Sequence, residues 1–174
     1  FPGGAYAYCS DREADPVAQE YLRAGYHAFV LRYSVGWENA VWPNPLEDYD
    51  QAMELIAAHA KEWHLIPEKI AVIGFSAGGH LAACAATMAK HRPAAAILAY
   101  PVILEGLAAI CAKGAPGADK AVDSQTCPCF IAATGTDTTV SAMNSLRFVE
   151  ALYENGISAE LHLYAFGPHG FSTA

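Results

Sequence analysis

The hydrophobic pattern of this chain alternates between short apolar runs and longer stretches with helical spacing. Residues 26–33, 70–73, 95–100, 129–134 and 160–165 are β-rich runs, most of them apolar nearly throughout, as strands buried inside a parallel sheet are. Between them lie helical patterns. Residues 14–24 carry Val17, Tyr21 and Leu22 on one face and stop at Gly25. Residues 46–63 put Tyr49, Met53, Ile56 and Ala60 on one face, and residues 141–155 turn Met143, Leu146, Val149 and Leu152 inward before Gly156. Residues 77–88 form a helix of small side chains suited to packing close on a sheet. This alternation predicts an α/β fold, a mostly parallel sheet with helices on both faces. No repeat, low-complexity tract or linker interrupts it, so residues 1–174 are expected to form a single domain.

The chemistry enters between the second strand run and the helix that follows it. Gly74-Phe75-Ser76-Ala77-Gly78 is a G-x-S-x-G sequence, and its place between strand and helix predicts a sharp turn that lifts Ser76 out of the sheet as a nucleophile. A serine hydroxyl needs a base and an acid that orients the base. Of the seven histidines, His27 and His162 lie inside strand runs, His59, His64 and His91 in or near helical stretches, and His80 four residues past Ser76, pointing along its helix. His169 differs. It sits in Gly167-Pro168-His169-Gly170-Phe171, a loop just past the last strand.

The acid is expected between the serine and the histidine. Glu105, Asp119, Asp123, Asp137, Glu150, Glu154 and Glu160 qualify by position; Asp137 alone closely follows a strand and precedes a helix. Ser76, Asp137 and His169 thus each follow the C-terminal end of a strand, and in an open parallel sheet those ends share one edge. Attack on an acyl carbon also builds an oxyanion, which needs preorganised amide donors. Ala77, after the nucleophile, offers one; the opening turn Gly3-Gly4-Ala5 offers others, at Gly4 and Ala5.

Over nearly its whole length the chain resembles the α/β-hydrolase superfamily, and within it the bacterial esterases that include carbohydrate acetyl esterases. Pro2-Gly3-Gly4-Ala5-Tyr6 is similar to their oxyanion turn, with Ala5 in place of the last glycine. Gly74 to Leu81 is similar to their elbow, and Asp137-Thr138-Thr139-Val140-Ser141 to their acid segment, with Ser141 where proline is usual. The resemblance implies a serine esterase acting on small acyl groups, acetyl on a carbohydrate such as xylan foremost, with no metal or organic cofactor. A peptidase of the same fold and a non-catalytic ligand-binding homologue are the other readings. It also implies strands before Pro2 and a helix after Ala174, so the chain reads as incomplete at both ends. Residues 113–126, where the superfamily often carries a cap, are short, and an open pocket is expected.

Composition narrows the partners. The 174 residues are 53% hydrophobic and 16% charged, with 10 basic against 18 acidic residues and a net charge of −8. That balance disfavours nucleic acid and anionic membrane and is compatible with neutral esters. The apolar stretch 94–112 is broken by Pro101, Glu105 and Gly106, so it reads as a strand and a loop rather than a span. The five cysteines include Cys127-Pro128-Cys129, which matches neither redox nor zinc spacing. Free thiols in a reducing, cytoplasmic compartment are the expectation.

Overall fold

The computed structural model describes residues 1–171. Four strands, β1 (Ala71–Phe75), β2 (Ala95–Ala99), β3 (Cys129–Thr134) and β4 (Ala159–Tyr164), form one parallel sheet in the order β1-β2-β3-β4. Spatial order follows chain order, so every crossover steps the same way, and right-handed crossovers lay their helices on one face. On that face α3 (Ala77–Met88) and α5 (Met143–Glu154) pack against Val72, Leu98 and Ile131, with α2 (Asn44–Ala58) beside α3. The opposite face is covered from α1 (Asp15–Arg23) by Val17, which packs on Phe75, Ala99 and Tyr100.

α3 is buried from Ala77 through Thr87, which its small side chains permit. Two elbow glycines are required by close approach: a Cβ on Gly74 would lie 2.2 Å from the Gly78 carbonyl oxygen, and one on Gly78 2.2 Å from that of Phe1. These contacts clamp strand, helix and opening segment together around Ser76.

Four expectations need correction. Residues 26–33 join no ladder among the described residues. β-rich composition favours extended backbone, but a strand exists only where a neighbour takes up its amides and carbonyls. The segment still supports the core through Leu31 and Tyr33, whose hydroxyl donates to the Pro2 carbonyl at 2.6 Å. Second, the stretch after Pro101 contains a helix, α4 (Glu105–Cys111). Third, only part of the expected face of α5 is buried: Val149 and Leu152 are, but Met143 and Leu146 are exposed, and Asn144 and Phe148 are buried instead. The reason is polar, because Asn144 Oδ1 accepts the amides of Ile103 and Leu104, both at 2.9 Å. Fourth, α2 ends at Ala58 rather than Trp63, and the chain turns out at His64, which adopts positive φ.

Residues 113–126 pack in part into the body of the fold. Ala115, Ala118 and Thr126 are buried, and a short 3-10 turn (Ala118–Ala121) packs on α3 and α5. All five cysteines are free thiols. Among the described residues, no helix is long and apolar enough to cross a membrane.

Candidate active site

Ser76 stands at the junction of β1 and α3 with φ 53° and ψ −114°, a conformation that costs a non-glycine residue about 1–3 kcal/mol. It is held there from both sides. Its amide donates to the Ala99 carbonyl at 3.0 Å, and its carbonyl accepts from Val102 and His80 amides, both at 3.1 Å. Tyr100, at the end of the neighbouring strand, also has positive φ, 39°. Two strained residues on adjacent strand ends thus flank one rim of the sheet.

At that rim the structure brings together the three side chains the sequence singled out. Ser76 Oγ lies 2.8 Å from His169 Nε2, and His169 Nδ1 lies 2.6 Å from Asp137 Oδ2. A carboxylate can only accept, so Nδ1 carries the proton and Nε2 is left to accept the serine hydroxyl. Asp137 is 8% exposed, and its Oδ1 accepts the amides of Thr139 at 2.8 Å and Val140 at 2.9 Å. The Thr134 hydroxyl donates to the Gly167 carbonyl at 2.8 Å, tying the end of β3 to the histidine loop.

The opening turn lies against the same rim. Phe1 runs beside β1, its carbonyl accepting from the Phe75 amide at 3.2 Å. A Cβ on Gly3 would be 3.1 Å from the Ser76 Cβ. Gly4, Ala5 and Tyr6 all adopt positive φ. The amides of Gly4, Ala5 and Ala77 donate to no acceptor among the described residues. For Ala77 that follows from its place as the first residue of α3, where an amide has no partner within the helix.

Two polar residues at the site escaped the sequence reading. Glu13, in a charged run that looks solvated, is 7% exposed and faces both Gly3 and Tyr100. His80 is fully buried; it lies 2.8 Å from both the Tyr6 hydroxyl, through Nδ1, and the Pro116 carbonyl, through Nε2. The carbonyl can only accept, so Nε2 carries the proton and Tyr6 donates to Nδ1. His80 therefore fastens Tyr6, in the opening turn, to the segment that follows α4. Nothing in a lone histidine on a small-residue helix signals this.

Burial lowers the His80 pKa to about 4, against an ordinary 6.5. The unfolded chain binds the proton first as pH falls, so the stability this site contributes is full above pH 6.5 and is lost as pH drops toward 4. The expected loss is about 3 kcal/mol over that window. Urea midpoints measured from pH 7 to 4 should fall more steeply for the wild type than for His80→Gln, which has no titrating ring; parallel curves would refute this.

The model of the BD-FAE family matches residues 2–105, more than half of the chain. The chain belongs to the BD-FAE family. The match takes in the opening turn and the Ser76 elbow; Asp137 and His169 lie beyond it. Among solved structures, this BD-FAE chain is 46% identical to MGS-M1, an alpha/beta hydrolase enzyme from a Medee basin deep-sea metagenome library, at a TM-score of 0.90, covering 99% of this chain and 69% of that one. It is 33% identical to an acetyl ester-xyloside bifunctional hydrolase from Caldicellulosiruptor lactoaceticus, at a TM-score of 0.88, covering 98% and 72% of the two chains. It is 29% identical to an acetylxylan esterase of Xylanibacter ruminicola over 98% of this chain. The chain spans less than half the length of the curated relatives it matches, 40% in that case. The fold is that of an α/β hydrolase.

Beside the turn the BD-FAE chain opens a cavity of about 320 Å³, walled in part by Ala5, Tyr6, Trp37, Ile110 and Lys113. Trp37 is 88% and Ile110 75% exposed, so their apolar surfaces are available to a ligand that enters beside the Ala5 amide.

Proposed function

We propose that this chain is a serine carboxylic-ester hydrolase, with Ser76 as nucleophile, His169 as base and Asp137 as the group that orients it. The observation that carries the reading is the unbroken relay Ser76–His169–Asp137 on a strained elbow. A ligand-binding homologue would have no use for that strain or for an imidazole aimed at a hydroxyl.

The steps follow from the geometry. Ser76 Oγ attacks the ester carbon as its proton passes to His169 Nε2, and the imidazolium is held by Asp137. The carbonyl oxygen becomes an oxyanion, received by the free amides of Gly4, Ala5 and Ala77. Collapse breaks the bond to the leaving alcohol, which takes the proton from Nε2. The acyl-enzyme is then hydrolysed by a water that His169 deprotonates in the same way. A small acyl group and a carbohydrate alcohol are the favoured substrate. The names of two relatives specify acetyl esters or acetylxylan, and the cavity at Ala5 has far more room than an acetyl group needs.

Two measurements test this. A fluorophosphonate probe should label Ser76 stoichiometrically; no labelling of folded protein would refute an activated serine. A panel of nitrophenyl esters of increasing chain length, beside acetylated xylo-oligosaccharides, should show the highest kcat/KM for acetyl. Trp37→Ala should raise KM for the acetylated oligosaccharide about fivefold, the loss of about 1 kcal/mol of apolar cover, and leave nitrophenyl acetate turnover within about twofold. An equal effect on both substrates would contradict a sugar platform at Trp37.

A further inference from the structure

Among the described residues two carboxylates are buried, those of Asp137 and Glu13. Asp137 faces His169; Glu13 takes no part in the steps above. Burying a carboxylate is costly unless its oxygens are well partnered, and Glu13 is partnered on both. Oε2 accepts the Gly3 amide at 2.7 Å, and Oε1 accepts the Tyr100 hydroxyl at 2.9 Å.

Each contact leads directly to the reacting groups. Gly3 is sandwiched between the carboxylate and the elbow: a Cβ there would lie 2.6 Å from Glu13 Oε2 and 3.1 Å from the Ser76 Cβ. The next two peptides are those of Gly4 and Ala5, whose amides donate to no acceptor among the described residues. Tyr100 packs its ring edge-on against the His169 imidazole, centroids 4.9 Å apart. Glu13 itself is held in a short 3-10 turn (Asp11–Glu13), its amide donating to the Ser10 carbonyl at 3.2 Å. The Ser10 amide in turn donates to the Gly3 carbonyl at 2.9 Å. Gly3 is thus gripped at its amide by the Glu13 side chain and at its carbonyl by the residue that anchors Glu13. The 3–13 segment closes on itself next to Ser76.

We propose that Glu13 is a positioning residue for acyl transfer: its carboxylate fixes the Gly3 peptide plane so that the Gly4 and Ala5 amides converge on the oxygen that becomes negative. This rests on the esterase reading above. A charge-assisted acceptor suits the role, since such bonds are shorter and stronger than neutral ones. The three positive-φ residues that follow Gly3 turn back on themselves, the Gly4 carbonyl accepting the Ala7 amide at 2.9 Å, and the plane at the start of that turn sets where both amides point.

The test uses the full chain with Glu13→Ala and Glu13→Gln, assayed on nitrophenyl acetate alongside thermal melts and active-site titration. Loss of one oxyanion donor lowers rate by about 10²–10³; a turn that tilts without vanishing should lose less. For Glu13→Ala the expected result is a fall in kcat of about 10- to 100-fold with KM little changed. The affinity of an alkyl trifluoromethyl ketone should fall in parallel. That inhibitor forms a bond from Ser76 Oγ to its carbonyl carbon and places the resulting oxyanion against the same amides, so it reports the turn where ground-state binding does not. Glu13→Gln should recover most of the loss. Its carbonyl can take the Gly3 amide, while the Tyr100 hydroxyl rotates to accept from its NH₂ group.

An active wild type with Glu13→Ala within about threefold of it in kcat would overturn the proposal. So would a folded Glu13→Gln as slow as Glu13→Ala, because the hydrogen bond would then be irrelevant. If Glu13→Ala does not fold, Glu13→Met carries the comparison, since it fills the space with a flexible side chain and no strong acceptor. A wild type without ester hydrolysis would remove the esterase reading itself, an outcome seen before any variant is compared.

Discussion

Replacing Ser76 by alanine is expected to lower kcat for acetyl esters by about 10⁶, roughly 8 kcal/mol of barrier, with KM little changed. On the proposed mechanism the hydroxyl is the atom that forms the acyl-enzyme. His169 Nε2, which holds the hydroxyl at 2.8 Å, would then face an empty position. Residual turnover of about 10³–10⁴ over water should persist, because the amides of Gly4, Ala5 and Ala77 still receive an oxyanion and the imidazole can still deprotonate a water. The groups act as one unit, so a Ser76→Ala, His169→Ala double variant should be hardly slower than the single one. Steady-state turnover of protein shown by titration to be free of wild type is the measurement. A folded Ser76→Ala that hydrolyses nitrophenyl acetate within tenfold of the wild type would end the nucleophile assignment.

What the sequence made legible was the framework that carries the site. β4 stood out by its β-rich composition, although none of its residues is buried. β3 stood out as a largely apolar run and α3 as a run of small residues, because strands and helices buried in a parallel sheet have few polar positions to blur their limits. Ser76, Asp137 and His169 could be placed at strand ends for the same reason. What was not legible depends on partners that lie far away in the chain. Residues 26–33 have the composition of a strand, but composition does not name the neighbour a ladder needs. α4 was hidden by Pro101 and Gly106, which read as loop punctuation although the helix tolerates Gly106 and begins only at Glu105. Asn144 faces inward on α5 because two amides from the segment before α4 await it. Glu13 and His80 are the sharpest cases. Each has an ordinary local context, and each acquires its meaning from a contact more than 8 residues distant, with Gly3 and Tyr100 for one and Tyr6 and Pro116 for the other. The local pattern shows where chemistry can sit. The groups that stiffen it become visible only once the chain is folded.

Asp137→Asn is the second large effect, a fall in kcat of about 10⁴ with the fold intact, and its origin is a proton on the wrong nitrogen. Asp137 Oδ1 accepts two backbone amides, from Thr139 and Val140. In the asparagine variant those two donors demand the side-chain oxygen, since an NH₂ group there would set donor against donor. The amide nitrogen must then take the place of Oδ2, which now lies 2.6 Å from His169 Nδ1. Facing a donor, Nδ1 must accept, so the ring proton moves to Nε2, and Nε2 can no longer take the proton of Ser76. The carboxylate that would stabilise the imidazolium is gone as well. Asp137→Ala would confound this with stability, because it strips Thr139 and Val140 of their acceptor; the asparagine keeps both bonds. Ring ¹⁵N shifts of His169 at pH 8 should report a proton on Nδ1 in the wild type and on Nε2 in the variant, beside the drop in turnover. A variant that melts like the wild type, keeps the proton on Nδ1 and loses less than tenfold in kcat would show that the imidazole is oriented by something other than Asp137.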